Sequence, residues 1–536
     1  MSFVPDTQNK EFQDALNLIQ YTRQSVFLTG KAGTGKSTFL KYICANTKKK
    51  HVVLAPTGIA AINAGGSTLH SFFKLPFYPL LPDDPNFSLQ RGRIHEFFKY
   101  TKPHRKLLEE LELVIIDEIS MVRADIIDAV DRILRVYSRN LREPFGGKQI
   151  LLVGDVFQLE PVVKGDEREI LNRFYPTPYF FSARVFGQID LVSIELQKVY
   201  RQTDSKFIHV LDHIRNNTVG STELQLLNTR YGTQIEQSEA DMYITLATRR
   251  DNVDYINDKK LAELPGDPVT FYGEIMGDFP ESSLPTSQEL VLKPGAQIIF
   301  IKNDFDRRWV NGTIGVISGF DPIEETLYVI TDDGKECDVK RESWRNIRYK
   351  YNEEKKQIEE EELGTFTQYP VRLAWAITVH KSQGLTFSRV VIDFTGGVFA
   401  GGQAYVALSR CTSLEGIQLK KPISRADVFV RPEIVSFSER FNNRTAIDRA
   451  LKQAQADLQY VAAAKAFDKG DFGTFLDEFF KAIHSRYDIE KPNVQRLIRR
   501  KLNIINRLKE ENRALKQAAL EKEKALVKYA REYILM

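Results

Sequence analysis

Short apolar runs that end abruptly in glycine or acidic residues mark the first third of the chain. Three of them occupy residues 25–29, 111–116 and 150–153. Apolar runs this short predict buried β-strands rather than helices. A helix-forming stretch, residues 36–45, follows the first run almost directly. The alternation of strand and helix predicts an α/β domain built on a parallel sheet.

Residues 294–366 show a different pattern of short, β-like runs separated by turn signals. Gly295, the pair Asn311-Gly312 and the triplet Asp332-Asp333-Gly334 punctuate this stretch. Glycine and asparagine at such points supply the backbone conformations that tight turns need. The pattern therefore predicts a small β-rich domain inserted within the second half of the chain.

Beyond about residue 444 the pattern becomes helical. Apolar residues recur at three- and four-residue intervals, with two polar residues at the remaining positions of one seam: Val494, Ile498, Lys501, Ile505, Leu508, Asn512 and Leu515. The spacing fits three heptads of a coiled coil, and it also fits a helix packed on the rest of the chain. We expect the packed helix and a monomer in solution, with the helix docked or reserved for another protein.

Composition narrows the class of protein without identifying it. The 536 residues predict about three or four domains. The net charge of +4 permits nucleic-acid binding but does not argue for it. No apolar run approaches the roughly 18 residues of a membrane span, and the first residues do not resemble a secretory signal. The three cysteines lack metal-ligand spacing and suit a reducing compartment, so we expect a cytoplasmic protein, or a nuclear one if eukaryotic.

Residues 30–37, with the sequence GKAGTGKS, form a full phosphate-binding loop between the first predicted strand and helix. The glycines allow a tight turn that aims backbone N–H groups at phosphate oxygens. Lys36 is expected to reach the β- and γ-phosphates of a nucleoside triphosphate, and Ser37 to place its hydroxyl on Mg²⁺. A chance glycine turn is an unattractive alternative, because both the strand and the helix are present.

Two further strand ends carry chemistry. Asp117 and Glu118 follow the run 111–116, at the sheet edge where ligands bind in α/β proteins. Asp117 is expected in the Mg²⁺ shell, and Glu118 is expected to accept a proton from the attacking water. Gln158 follows the run 150–153 and is a candidate sensor of the γ-phosphate, although strand-end glutamines are common.

The second half of the chain has no phosphate loop of its own but has two placed arginines. Arg201 follows the segment LQKVY, and Arg410 ends the segment QAYVALSR. Such arginines can stabilise transition-state charge from across a cleft between two domains. Taken alone, each would more often be a surface ion-pair residue.

A fixed order of motifs connects these sites. Besides the phosphate loop and QAYVALSR, the chain contains APTGIAA (55–61), TLHS (68–71), DEISM (117–121), PFGG (144–147), GDVFQLEP (154–161) and HKSQGLTF (380–387). This set resembles the superfamily-one, subclass B DNA helicases, and among them the petite-integration-frequency (Pif) family. The run 380–387 is the most specific. The resemblance extends from about Gln13 to about Leu419, and the residues after Met121 match bacterial members at least as well as eukaryotic ones.

The resemblance implies an α/β fold with two RecA-like P-loop domains, a small wedge insertion, an SH3-like β insertion and a helical C-terminal tail. The expected boundaries are 1–71 with 105–190 for domain 1A, 72–104 for wedge 1B, 191–293 with 369–435 for domain 2A, 294–368 for insertion 2B, and 436–536 for the tail. Within 72–104, aromatic residues such as Phe72, Phe73, Phe77, Tyr78 and Phe87 either stack on DNA bases or pack on the first domain.

The resemblance also implies the ligands and their residues. ATP and Mg²⁺ are the expected cofactors. The residues expected to bind nucleotide are Gln13, which reads the adenine edge, with Gly30, Gly33, Thr34, Gly35, Lys36, Ser37, Thr38 and Gly384. The residues expected to contact DNA are Pro56, Thr57, Thr68, His70, Thr378, His380, Lys381 and Ser382.

The expected function is ATP-driven unwinding of duplex or structured DNA, with translocation 5′ to 3′ on single-stranded DNA. The resemblance implies that polarity, together with roles in DNA repair, recombination and telomere maintenance. Two alternatives remain open. One is a RecD-like helicase inside a nuclease complex, and the other is a nucleic-acid-binding ATPase that clamps without translocating.

Overall fold

The computed structural model describes residues 6–76, 78–84, 94–163, 165–202, 204–233, 242–306, 308–352, 354–355, 357–486 and 492–535. The chain forms two compact units, residues 1–447 and 448–536. Among the described residues, no helix combines the length and the apolar character that crossing a lipid bilayer demands.

The first α/β domain is built on a six-stranded sheet in which every pair of neighbours is parallel. Its strands are β1 Val26–Gly30, β2 His51–Ala55, β3 Ser67–Thr68, β4 Leu113–Ile116, β5 Gln149–Val153 and β6 Val192–Leu196. The order β3-β2-β4-β5-β1-β6 makes β4, β5 and β1 neighbours, so the three strand ends that carry the predicted motifs lie side by side. All three predicted strands and the α/β class are confirmed.

Helices and single helical turns surround this sheet. The helices are α1 Lys10–Tyr21, α2 Lys36–Asn46, α3 Gly58–Ala64, α4 Leu69–Phe73, α5 Ile94–Phe97, α6 Lys102–Glu110, α7 Ala124–Tyr137 and α8 Gly165–Leu171. The 3₁₀ turns are Ile119–Met121, Pro144–Gly147, Phe180–Ser182 and Arg184–Gly187. One large hydrophobic core, which includes Val114 and Ile116 of β4 and most aliphatic residues of α7, joins many of these elements.

A second parallel sheet has four strands in the order β18-β7-β19-β20. They are β7 Ile244–Ala247, β18 Ala376–Thr378, β19 Val390–Asp393 and β20 Ile417–Leu419. The accompanying helices are α9 Ser205–Arg215, α10 Ser221–Asn228, α11 Arg250–Glu263 and α12 Gln403–Leu408, with a 3₁₀ turn at Arg425–Asp427. The core of this domain packs α9 and α12 on the sheet. Helix α13 Pro432–Ser438 packs instead in the first core, through Ile434 and Phe437.

Antiparallel strands fill the chain between β7 and β18, as the β-rich pattern predicted. They are β8 Val269–Tyr272, β9 Glu274–Gly277, β10 Glu289–Leu292, β11 Gln297–Phe300, β12 Ile314–Asp321, β13 Thr326–Thr331, β14 Glu336–Val339, β15 Glu342–Asn352, β16 Gln357–Gln368 and β17 Val371–Leu373, with a 3₁₀ turn at Glu281–Ser283. They form a five-stranded sheet, β14-β13-β12-β11-β17, a three-stranded sheet, β15-β16-β9, and the pair β10-β8.

Three predicted boundaries need correction. The predicted end of domain 2A at residue 435 falls within α13, whose Ile434 and Phe437 pack in the core of the first domain. Strand β6 is predicted in the second domain, but it pairs in parallel with β1, so the first domain extends at least to Leu196. Strand β9 was likewise placed in the second domain, but it pairs with β16 of the insertion. The β insertion therefore begins well before residue 294. The other boundaries stay predictions.

The aromatic residues of segment 72–104 divide into two groups. Phe72 and Phe73 are buried in the first core, with their rings at 4.8 Å in edge-to-face contact, so the packing interpretation is correct for them. Tyr349 of β15 lies against Phe72, which brings the long β15–β16 hairpin onto the first domain. Tyr78 is 51% exposed and keeps a ring available for stacking. Phe77 and Phe87 lie outside the described residues.

The second unit contains the end of α14 Arg444–Asp468, then α15 Phe472–Ser485 and α16 Pro492–Leu535. Ala456, Tyr460 and Ala482 form its small buried cluster. From Asn506 to Leu535 every residue of α16 is exposed. The helical tail is confirmed, whereas docking of the helix on the motor stays a prediction.

Candidate ATP and DNA site

The phosphate-binding loop connects β1 to α2, as predicted. Gly33 has φ +80°, and a Cβ added there would lie 2.4 Å from Cβ of Arg201, so only glycine fits this close approach. The Nζ of Lys36 donates to the carbonyl oxygens of Gly30, at 2.7 Å, and Lys31, at 3.0 Å. The lysine ammonium is thereby held at the centre of the loop, and burial lowers its pKa.

The acidic pair lies directly after β4. The backbone of Glu118 is left-handed, with φ +50°, and its N–H donates to Oδ1 of Asp117 at 2.9 Å. Burial, and secondly the charge of Asp117, raises the pKa of the Glu118 carboxyl to about 7. A carboxylate with a pKa near neutrality is suited to accept a proton from water. Burial also raises the pKa of Asp117.

Gln383 connects the two domains at this point. It lies in the turn after β18, and its Nε2 donates to Oε2 of Glu118 at 3.0 Å and to Oε1 of Gln158 at 3.2 Å. The next residue, Gly384, has φ +84° in this turn. Gln383 belongs to the motif HKSQGLTF, but the sequence alone predicts no role for it. The structure makes it the second domain's contact with both the candidate base and the candidate sensor.

Both predicted arginines lie at the same cleft. Arg201 Nη1 donates to the carbonyl oxygen of Ser409 at 3.3 Å. Arg410 is 2% exposed, and it donates to the carbonyl oxygens of Val406 and Leu385 at 3.0 and 3.2 Å. Burial, and secondly the charge of Arg201, lowers the pKa of Arg410 to about 9. Arg410 is thus rigidly held and poorly solvated, as a residue that stabilises developing anionic charge should be.

Helix α9 contributes two charged residues that sequence reasoning missed. Arg215 is buried, with Nη2 at 3.1 Å from Oδ1 of Asp155 and 2.8 Å from Oε1 of Glu195. Asp212 accepts a hydrogen bond from Nζ of Lys31 in the phosphate loop at 2.6 Å. These partners are far away in sequence, so helical periodicity carries no signal of them. Helix α9 therefore links the second domain to two motifs of the first.

Tyr405 is a further contact that the sequence did not single out. The Ala32 N–H of the phosphate loop donates to its hydroxyl oxygen at 2.9 Å, and the ring is buried. The tyrosine belongs to α12, in the motif that ends at Arg410. The loop that should hold phosphate is thus contacted by two second-domain side chains, Tyr405 and Asp212.

An open cleft lies beside the phosphate loop, lined by Asp6, Asn9, Phe12, Thr34, Gly35, Thr38, Leu196, Lys198 and Tyr200. This is where the base and sugar of a nucleotide would follow the loop-bound phosphates. Gln13 stands next to Phe12 on α1, and its Nε2 donates to the carbonyl oxygen of Thr7 at 2.5 Å. The structure thus places Gln13 beside the cleft but does not place it among the lining residues.

The three threonines predicted to contact DNA share one local arrangement. Thr57 and Thr68 cap α3 and α4, and Thr378 caps the turn that follows β18. Each hydroxyl oxygen accepts a backbone N–H three residues ahead, at 3.1 to 3.2 Å. A capping hydroxyl keeps its own hydrogen for donation. The exposed Thr57 and the half-buried Thr68 can therefore still bind a phosphate oxygen, whereas Thr378 is buried in this structure.

The remaining DNA candidates differ in accessibility. Lys381 is exposed, and its pKa is lowered by burial of its stem and by the nearby charges of Arg372 and Arg250. Pro56, His70 and His380 are half-buried. Ser382 is fully buried, and its hydroxyl donates to the carbonyl oxygen of Val379 at 2.8 Å. The prediction of a DNA contact is wrong for the Ser382 side chain, because that hydroxyl holds the turn together instead.

A family model described as PIF1-like helicase matches residues 4–225. The ATP-dependent DNA helicase Pif1 of Bdellovibrio bacteriovorus is 31% identical over 439 residues, covering 80% of this chain and 91% of that protein. The ATP-dependent DNA helicase PIF1 of Homo sapiens is 33% identical over 415 residues, covering 74% of this chain and 58% of that protein. The chain spans 58 to 64% of the length of the vertebrate relatives.

Solved structures give the same likeness. Bacteroides sp Pif1 in complex with ADP-AlF4 has a TM-score of 0.73 at 42% identity, covering 80% of this chain and 96% of that one. The structure of Bacteroides Pif1 bound to single-stranded DNA has a TM-score of 0.58 at 41% identity, covering 82% of this chain and 97% of that one.

Proposed function

The chain belongs to the PIF1-like helicase family, and on that premise we propose that it is an ATP-dependent DNA helicase moving 5′ to 3′ on single-stranded DNA. The observation that carries the proposal is the pair of hydrogen bonds from Gln383 to Glu118 and Gln158. Hydrolysis chemistry on one RecA-like domain is contacted directly by the other. A motor requires that opening and closing of the cleft be coupled to turnover.

Each residue of the cleft has a proposed role. Glu118 accepts the proton of the attacking water, Gln158 senses the γ-phosphate, and Arg201 with Arg410 stabilises transition-state charge. Nucleotide is held by Gln13, Gly30, Gly33, Thr34, Gly35, Lys36, Ser37, Thr38 and Gly384. Ser37 and Asp117 offer the hard oxygen ligands that Mg²⁺ prefers, and the ion would neutralise phosphate charge.

Single-stranded and duplex or structured DNA are the proposed partners. Thr57 follows β2, and Thr68 and Thr378 are the last residues of β3 and β18. Their hydroxyls are proposed to donate to the DNA backbone, that of Thr378 once the turn after β18 moves to expose it. Pro56, His70, His380 and Lys381 complete this surface. Every residue proposed for ATP hydrolysis lies in one chain, so the monomer is the proposed unit of hydrolysis, acting in the cytoplasm or nucleus where the DNA is.

Strand separation on three substrates tests the proposal. Duplexes with a 5′ tail, a 3′ tail or blunt ends are incubated with protein and ATP, and Lys36→Ala is the control for ATP dependence. We expect product only from the 5′-tailed duplex and only with the native protein. DNA-stimulated ATP hydrolysis without strand separation, and without displacement of a roadblock from single-stranded DNA, would instead identify a clamp.

A further inference from the structure

Helix α16 is a continuous helix of 44 residues. Helices in proteins draw most of their stability from packing an apolar face rather than from the intrinsic propensity of their residues. Yet the second half of α16 exposes large apolar side chains. The exposed fractions are 52% for Leu508, 70% for Leu515, 68% for Leu526 and 70% for Tyr529. In the part of the chain that the structure describes, no apolar surface packs over these four side chains.

The exposed apolar residues follow a heptad repeat. With Ile505 as position a, the a series is Ile505, Asn512, Ala519, Leu526 and Tyr533, and the d series is Leu508, Leu515, Lys522 and Tyr529. A β-branched residue at a with leucine at d favours two parallel strands. Ala519 and Lys522 weaken the middle of the seam, although the lysine stem can bury while its ammonium reaches water.

In place of the packed helix and the monomer expected from the sequence, we propose that residues 505–533 pair with the same residues of a second copy as a parallel, in-register two-stranded coiled coil. Asn512 supports this choice of partner and register. An asparagine at an a position is buried in the seam and is satisfied by the equivalent asparagine of the opposite strand. Only an in-register parallel pair places Asn512 opposite itself, whereas other registers set its amide against apolar side chains.

Charges beside the seam fit the same arrangement. Glu511 occupies position g and Lys516 the following e position, which face each other across a parallel pair. The two strands therefore form this opposite-charge contact twice, and no like-charged g–e pair occurs between residues 505 and 533. Glu511 also lies 3.7 Å from Arg507 of its own helix, a contact that an exposed position on the same side can retain.

The start of the coiled coil is set by the second unit itself. Lys501 would occupy a d position one heptad earlier, but its ammonium pairs with Asp468 and lies 4.9 Å from the centre of the Phe467 ring. The first turns of α16 are thus occupied by packing on α14. Pairing begins at Ile505 and spans about 43 Å of helix, and it joins two motors at the same end of the seam.

Matched variants test the seam in the full-length protein. Leu508 and Leu520 are both 52% exposed on α16, but Leu508 is at position d and Leu520 at position b. By sedimentation velocity we expect native protein and Leu520→Glu to show a concentration-dependent dimer, and Leu508→Glu to raise the dissociation constant at least tenfold. The ATPase rate of both variants should equal the native rate. Leu520→Glu should also keep the native helix content, whereas Leu508→Glu should lose part of it because its α16 loses the strand that stabilises it. A native protein that stays monomeric would overturn the proposal. This holds whether or not hydrogen exchange shows that α16 is protected by the rest of its own chain.

A cysteine cross-link tests the register independently. The natural cysteines are buried or half-buried, so single new ones at 512 and 517 can be compared directly. Asn512→Cys should form a disulfide-linked dimer under mild oxidation, because in-register a positions face each other. Gln517→Cys, at the outward-facing f position, should form none. Equal cross-linking at the two positions, or at neither, would rule out the in-register parallel pair.

Discussion

Glu118 concentrates the chemistry of the cleft in one side chain. Its backbone is left-handed, its side chain is half-buried beside Asp117, and it accepts a hydrogen bond from the other domain. A left-handed conformation costs a non-glycine residue about 1–3 kcal/mol, so the orientation of the Glu118 carboxyl lowers the stability of the fold. Lys36 has the complementary role, since its ammonium is fixed at the centre of the phosphate loop.

We therefore expect Lys36→Ala to abolish ATP hydrolysis, and Glu118→Gln to retain ATP binding while losing turnover by about 10²–10⁴-fold. The reason is that one residue holds phosphate and the other accepts the proton. Steady-state hydrolysis and equilibrium binding of a fluorescent ATP analogue measure the two effects. Turnover close to native in Glu118→Gln would remove Glu118 from the mechanism.

The raised pKa of Glu118 has a consequence for stability. Its ordinary value of 4.5 rises to about 7, so the folded protein binds this proton more tightly than the unfolded chain does. The free energy of unfolding then falls as pH rises between these values. We expect Glu118→Gln to melt at a higher temperature than native protein at about pH 8, with a smaller difference near pH 5. A difference that does not change with pH would show that the pKa is not raised.

Arg201 and Arg410 should act on turnover more than on affinity. We expect Arg201→Ala and Arg410→Ala each to lower kcat by about 10³-fold or more while KM changes little, because the charge they stabilise forms in the transition state. Arg410→Lys serves as a control that keeps charge in the buried site. A tenfold rise in KM at unchanged kcat would indicate ordinary ground-state binding.

Helix α9 makes contacts that patterns in the sequence do not predict. Its Asp212 and Arg215 contact partners 181 and 60 residues away. Local periodicity cannot reveal such pairings. The same limit applies to β6, whose apolar run looks like any buried strand. Only its pairing with β1 assigns it to the first domain.

The strand ends, by contrast, were readable from sequence. Asp117 and Glu118 directly follow one apolar run, and Gln158 comes five residues after the end of another. Parallel topology brings such strand ends together. Ser382 was misjudged because a motif letter does not tell whether a hydroxyl faces DNA or holds its own turn. Accessibility decides that question, and accessibility is a property of the packed fold.

Removal of Arg215 should be costly because its partners stay buried. We expect Arg215→Met to lower the free energy of unfolding by about 3–5 kcal/mol, since it leaves Asp155 uncompensated. Arg345, half-exposed and 2.7 Å from Glu362, is the control, and Arg345→Met should cost about 0–1 kcal/mol. Urea unfolding measures both. If Arg215→Met with Asp155→Asn is no more stable than Arg215→Met alone, the ion pair is not what α9 contributes.

At the scale of the whole molecule, ATP hydrolysis and self-association are assigned to different units. Every residue proposed for hydrolysis or DNA contact precedes Ile447, where the first compact unit ends. We expect residues 1–447 to fold, to remain monomeric and to keep DNA-stimulated ATPase activity near the native rate. Sedimentation and hydrolysis assays on this truncated protein check the expectation. A folded truncation without DNA stimulation would show that the second unit belongs to the motor.

The turn after β18 links DNA binding to the rate of ATP hydrolysis. Thr378 and Lys381, proposed to touch DNA, and Gln383, which contacts Glu118, lie within six residues of one another. A strand of DNA that shifts this turn must also shift the hydrogen bond on the catalytic carboxyl. A single short loop thereby connects the proposed DNA contacts with the proposed site of ATP hydrolysis. We therefore expect a low rate of ATP hydrolysis without DNA and a higher rate when single-stranded DNA is bound.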